Sequence, residues 1–263
     1  DNLILKGCVA SRITTVNGGA AQGFGFFAVG PNTALRTVLF QDCVCEGNLA
    51  LIPTLTVNPV TGAPYNNVQG TAVGFNFTRS QNGGDAFPAS YINCKALRNK
   101  GAPGPINIGG VNGTRYTVGF LAIGVIAGQP LLNLNYYNCE AIDNIYGFLL
   151  SNCSHFAIRK CRADNNRYSI NPNIGEGFTD LGANPASTPA SPGISTSLFE
   201  SNRAYNNGPG TIHVGTNGNY NVFVSALVPP PLIEGQVSTS TFIYVAPPIT
   251  TPIENIRNIS MIP

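Results

Sequence analysis

Residues able to do acid–base or metal chemistry are few in this chain: 12 Asp plus Glu and two His among 263 residues. Their densest grouping is Asp143 and Asp164, with Arg162 and Arg167 beside the second. Two carboxylates at close range are what glycoside hydrolysis needs, one as proton donor and one as base or nucleophile. Polysaccharide lyase chemistry instead needs Asp or Glu ligands for Ca²⁺ and a base to take the proton next to a uronate carboxylate. Asp143 and Asp164 are therefore the catalytic candidates, set against the plainer reading of solvated charges that balance each other. His155 and His213 stand far apart with no third ligand type near either, so no metal site and no cofactor are expected. Seven cysteines are an odd number, and disulfides cannot pair them all.

Any such chemistry depends on what brings these residues together, and here that is an internal repeat. Aligned on a central residue, the copies are Leu5…Cys8-Val9-Ala10, Phe40…Cys43-Val44-Cys45…Asn48 and Tyr91…Cys94-Lys95-Ala96…Asn99. They continue as Tyr136…Cys139-Glu140-Ala141…Asn144, Ile158…Cys161-Arg162-Ala163…Asn166 and Phe199…Asn202-Arg203-Ala204…Asn207. A large apolar residue precedes each centre, a small residue follows it, and Asn follows further on in every copy but the first, where Ile13 stands. A Gly-Phe pair falls between successive copies: Gly23-Phe24, Gly74-Phe75, Gly119-Phe120, Gly147-Phe148 and Gly177-Phe178, then the degenerate Gly210-Thr211-Ile212. Two motifs alternating in fixed order specify a repeat architecture.

The shortest interval, Cys139 to Cys161, is 22 residues and shows the bare unit: short strands with Gly and Asn at the corners. That is one coil of a parallel β-helix. Stacked coils place equivalent positions about 4.8 Å apart, so like residues form ladders. The expected core ladder is Cys8, Cys43, Cys94, Cys139 and Cys161, read as free buried thiols. Asn48, Asn99, Asn144, Asn166 and Asn207 form a second ladder at a corner, where Asn tolerates left-handed geometry and its amide can bond the next Asn. Tyr136, Cys139 and Ala141 can all face inward only if a turn or bulge shifts the register between the first two. A leucine-rich repeat has a similar period, but its helix-forming half is missing. Longer intervals are read as corner loops, chiefly residues 49–70 and 100–115 and a Pro-rich stretch at 182–193. On adjacent coils Asp143 and Asp164 are expected within roughly 5–8 Å, and Glu140 and Arg162 as a cross-strand pair. Cys45 and Cys153 lie off the thiol ladder.

The coil pattern, for instance Gly147-Phe148-Leu149-Leu150-Ser151 through Cys161-Arg162-Ala163-Asp164-Asn165-Asn166, resembles the right-handed parallel β-helix repeats of the pectin-lyase-like superfamily. The resemblance covers roughly residues 3–215. It implies an all-β, right-handed, single-stranded parallel β-helix of about six to eight coils with corner insertions. That superfamily spans lyases, hydrolases, tailspikes, adhesins and structural proteins, so fold alone transfers no activity. The polygalacturonase-type signatures Asn-x-Asp, Asp-Asp, His-Gly and Arg-Ile-Lys are absent, with Ile158-Arg159-Lys160 a near-miss.

Charged residues are only 10 % of the chain and the net charge is +2 without a basic cluster, which argues against a nucleic-acid partner. No apolar run is long enough to span a membrane. The sequons at Asn76, Asn112, Asn152 and Asn258 would permit glycosylation. The β-helix is assigned to residues 1–215, and residues 216–263 to a β/Pro-rich tail that caps its own coil or reaches a neighbour. The chain begins at Asp1 with a strand already in place, which reads as a processed chain or a piece of a longer one. These features together suggest an extracellular or surface-exposed, non-enzymatic structural protein whose partner is itself, stacking end to end into a filament or surface layer. The alternatives are a carbohydrate-binding adhesin or tailspike-like module that uses the corner loops, and a polysaccharide lyase or hydrolase.

Overall fold

The computed structural model describes residues 2–15, 20–28, 37–50, 71–79, 88–101, 104–108, 111–115, 117–124, 131–151, 153–154, 156–167, 175–180, 197–207, 210–214, 221–225, 233–235 and 241–244. Among them every regular element is a β-strand, and every strand pair is parallel except the hairpin Gly104–Ile108 with Val111–Arg115. That hairpin occupies a stretch the sequence reads as loop.

Three parallel sheets stack along one direction, as in a β-solenoid. The first runs from Asn2–Lys6 through Thr37–Gln41, Ala89–Ile92, Leu134–Tyr137, Phe156–Arg159 and Ser197–Glu200 to Asn221–Ser225 and Thr241–Tyr244. The second runs from Val9–Ser11 through Val44–Glu46, Lys95–Leu97, Glu140–Ile142 and Arg162–Asp164 to Arg203–Tyr205. The third runs from Ala20–Ala28 through Thr71–Arg79, Val118–Gly124, Tyr146–Ser151, Glu176–Asp180 and Gly210–Val214 to Ile233–Gly235. Two of the three sheets thus extend beyond residue 215.

The repeat positions meet in register, as their sequence alignment requires. Phe40 pairs with Tyr91, Tyr91 with Tyr136, Tyr136 with Ile158 and Ile158 with Phe199. Phe178 pairs with Ile212, so the degenerate Gly-Thr-Ile copy keeps its place. Aromatic side chains stack along the core: Phe24 on Phe75 at 4.9 Å, Phe75 on Phe120 at 4.8 Å, and Phe120 on Phe148 at 4.7 Å. A parallel column from the first sheet stacks Phe40 on Tyr91 at 4.9 Å and Tyr91 on Tyr136 at 4.8 Å. The columns meet edge to face, as in Phe120 against Tyr136 at 5.9 Å and 79°. Both geometries suit the ring quadrupole, and each pair adds about 0.5–1.5 kcal/mol beyond the area it buries.

Gly-Phe recurs in the third sheet because two consecutive residues must turn inward there, a local bulge in the alternation. A Cβ on Gly119 would lie 2.8 Å from Gly147 O and 3.0 Å from Ala141 Cβ. The adjacent Phe120 ring is in the core. The glycines therefore pack against the small-residue column of the second sheet. The residues flanking the pair face the other way. Val73, Val118, Leu121 and Leu149 form a separate buried apolar cluster, so the strands Thr71–Arg79, Val118–Gly124 and Tyr146–Ser151 are buried on both faces.

Candidate functional site

Each coil turns its first two corners with one device. The residue before each ladder position is left-handed: Asp42, Asn93, Asn138, Lys160 and Ser201 before the cysteine position, and Arg12, Arg98, Asp143, Asn165 and Asn206 before the asparagine position. The left-handed residue is thus the one before the ladder asparagine, where the sequence reading placed it on the asparagine itself. It absorbs one residue of alternation, so Tyr136, Cys139 and Ala141 can all be buried.

The ladder side chain then bonds across to the preceding coil. Asn144 accepts at Oδ1 from the Asn99 backbone N–H at 3.2 Å and its Nδ2 donates to Ala96 O at 3.0 Å. Asn166 repeats this toward Asn144 N (3.1 Å) and Ala141 O (2.9 Å), and Asn207 toward Asn166 N (2.9 Å) and Ala163 O (2.9 Å). Side-chain amides also bond along the ladder, Asn99 to Asn144 at 2.8 Å and Asn166 to Asn207 at 3.0 Å. Asn48, at the start of the ladder, accepts from Ile13 N–H at 3.3 Å.

The cysteines use the same bonds in weaker form. The thiols of Cys43, Cys94 and Cys139 reach Leu5 O, Phe40 O and Tyr91 O at 3.3–3.4 Å, and Cys161 Sγ accepts from Cys139 N–H at 3.4 Å. Asn202 makes both contacts in their place, to Ile158 O at 2.8 Å and from Cys161 N–H at 2.9 Å. None of the seven cysteines forms a disulfide; Cys8 is half-buried and the other six are buried. Burial pushes the Cys45 thiol up to about 12 and raises Cys43 and Cys139. Cys94 is raised first by its hydrogen bond with the Cys139 thiol and then by burial. None of these four is an activated nucleophile. Cys45 stands in the small-residue column, paired with Ala10 and Ala96, and Cys153 pairs with Leu131 in a two-stranded sheet.

The candidate carboxylates are brought together through the backbone. Asp143 sits on the corner beside Asp164, its N–H donating to Asp164 O at 3.1 Å. The Asp164 side chain is buried, with Oδ2 at 2.5 Å from Arg162 Nε and 3.3 Å from Arg203 Nη2. Arg167 donates instead to Asn206 Oδ1 at 3.2 Å. Glu140 and Arg162 are register partners, yet the Glu140 carboxylate lies 3.3 Å from Lys95. Glu46 bonds Arg98 on the next coil, and Arg159 Nε lies 3.3 Å from Glu200 without a well-aligned hydrogen bond. Four of the described carboxylates thus link adjacent coils. No set of three His, Cys, Asp or Glu residues among the described residues is placed to hold a metal ion.

No protein-family model, curated protein or solved structure matches this chain.

The remaining site residues fall in three places. Asn76 is buried, its amide donating to Gln22 Oε1 at 3.2 Å and accepting from Thr78 at 2.7 Å. Asn112 lies on the hairpin strand Val111–Arg115, and His213 on Gly210–Val214. Asn152, His155 and Asn258 lie outside the described residues, as do 51–70 and 181–196, which hold most of the corner-loop stretches. No described helix is long and apolar enough to cross a membrane.

One further feature carries no motif in the sequence. At the first coil the core is open: Leu3, Leu5, Cys8, Phe24 and Phe26 are only partly buried, while their partners Val38, Phe40, Cys43, Phe75 and Phe77 are at most 3 % exposed. Ile4 and Val9 on the same coil are 61 % and 69 % exposed.

Proposed function

We propose that this protein is a structural subunit: a right-handed parallel β-helix, similar to the pectin-lyase-like superfamily, that stacks end to end on further copies of itself at an extracellular surface. The observation that carries the reading is the half-covered coil of Leu3, Leu5, Cys8, Phe24 and Phe26. Its chemistry is that of the interior, and one more coil laid on it would remove from water the part of each large side chain still exposed. That is worth on the order of 1 kcal/mol per side chain. Among the described residues, no strand pairs with the outer edge of any of the three sheets at this coil, and such an edge is a template for strand addition. Because the strands are parallel, the mating edge is the opposite one, and head-to-tail contacts of that kind build open filaments. The charges support the same reading, since four of the described carboxylates are occupied in linking coil to coil.

Sedimentation velocity of the 263-residue chain over about a hundredfold range of concentration tests this, because association follows mass action. Larger species should grow with concentration and disappear in Leu5→Asp, which places a charge on the mating surface. A single sedimenting species throughout, or association that Leu5→Asp leaves intact, overturns the proposal.

A further inference from the structure

On the outer face of the second sheet, stacking alone leaves one arrangement unexplained. Arg162 and Arg203 are direct register partners on adjacent strands, so two like charges begin about 4.8 Å apart. Like charges placed opposite each other weaken a sheet. A single carboxylate, Asp164, stands between them, 1 % exposed, with Oδ2 at 2.5 Å from Arg162 Nε and 3.3 Å from Arg203 Nη2. Glu140, the partner of Arg162 on its other side, is engaged by Lys95. The arginine side chains themselves are 43 % and 54 % exposed. Asp164 thus holds two guanidinium groups from beneath. Among the described residues, no acceptor meets their remaining N–H groups. Tyr205, 63 % exposed, follows Arg203 by two residues on the same face, its ring centroid 5.9 Å from the guanidinium carbon.

We propose that Arg162, Arg203 and Tyr205 form a binding site for a sugar carrying a sulfate or phosphate monoester, with Asp164 as the positioning residue. A carboxylate offers two oxygens and matches the edge of one guanidinium. A tetrahedral oxyanion offers three, in directions that bridge two guanidinium groups stacked on neighbouring strands. Arginine is suited to this because its planar fork is pre-organised and weakly hydrated. The exposed Tyr205 ring gives an apolar face beside the anion for the C–H face of a sugar ring, with its hydroxyl left in water. The site lies on the outer face of the second sheet, at its last two described strands, and does not rest on the end-to-end reading.

Isothermal titration calorimetry of the whole chain with glucose 6-sulfate, glucose 6-phosphate, glucose, and inorganic sulfate and phosphate tests the assignment. Saturable binding of at least one ester and none of glucose is expected, and the tighter ester identifies the anion. Arg203→Gln and Arg162→Gln should each weaken the ester about tenfold or more, since charge-assisted bonds are lost. Tyr205→Ala, a mostly solvent-exposed change that leaves the fold intact, should weaken the ester several-fold while sparing inorganic sulfate. Arg203→Lys keeps the charge without the fork and should fall between. No saturable ester binding up to about 10 mM, where binding free energy falls to a few kcal/mol, overturns the proposal. So does ester binding that Tyr205→Ala and Arg203→Lys both leave unchanged, and an adventitious ion only, seen as inorganic anions binding while the esters do not.

Discussion

Asn202 occupies the position that cysteine fills in the other five copies, and its bonds show why the exchange is tolerated. Both side chains carry a donor and an acceptor at one depth, and both meet the carbonyl and the N–H that the preceding coil turns inward. Asn202→Cys should therefore cost less than about 1.5 kcal/mol, as volume-conserving changes do. Asn202→Val leaves Ile158 O and Cys161 N–H buried without partners, at about 1–3 kcal/mol each, and denaturant melts of the two variants should show that ordering. The raised thiols set a pH dependence. A thiol whose folded pKa lies above its unfolded value stabilises the fold fully below the unfolded value and progressively less as pH rises toward the folded one. Stability should thus hold to about pH 8, then fall from the ordinary thiol range near 9 toward about 12, where Cys45 titrates. A melting temperature that rises over that interval would contradict the burial of these thiols. At this scale the sequence was informative about identity: free core cysteines and a laddered asparagine follow from recurrence alone. Which residue is left-handed did not follow, because Asp42, Asn93, Asn138, Lys160 and Ser201 are of four different types.

At the scale of the strand, the coil is thin where Gly faces Ala and wide where Phe faces Tyr. Gly147→Ala would set a Cβ 2.4 Å from Gly177 O and 3.1 Å from Ala163 Cβ, against backbone that cannot give way alone. A loss of about 1–3 kcal/mol is expected from overpacking, read as a lower denaturation midpoint. Gly7→Ala provides the contrast: nothing lies within 4 Å of the added Cβ, and only the positive φ of 63° resists it. Equal losses for the two would show that packing is not what requires Gly147. The alternation of Gly-Phe with the Cys-centred strand was legible, since a recurring pair announces its register. The second apolar cluster was not. Val118 and Leu121 flank an inward pair, and a bulge hides the period of two that would mark them as facing the other way. The hairpin Gly104–Ile108/Val111–Arg115 falls where Gly and Pro crowd residues 100–110, a composition that signals loop.

At the scale of the molecule, the sheets share one direction and one repeat, so stability adds coil by coil and each coil protects the one before it. The pairs of Glu46, Glu140, Asp164 and Glu200 link neighbouring coils along the stack. The adjacency of Asp143 and Asp164 was legible from the repeat; the commitment of Asp164 to Arg203 was not, because it depends on which way two arginines turn. The first described coil was legible only as a strand, while its partly buried Leu3, Leu5, Phe24 and Phe26 emerge from the packing. Electron microscopy of the purified chain at rising concentration tests the central claim most directly. Rods of constant width whose length grows with concentration, and short single particles for Leu5→Asp, are the expected result. Single particles of one length at every concentration would contradict it.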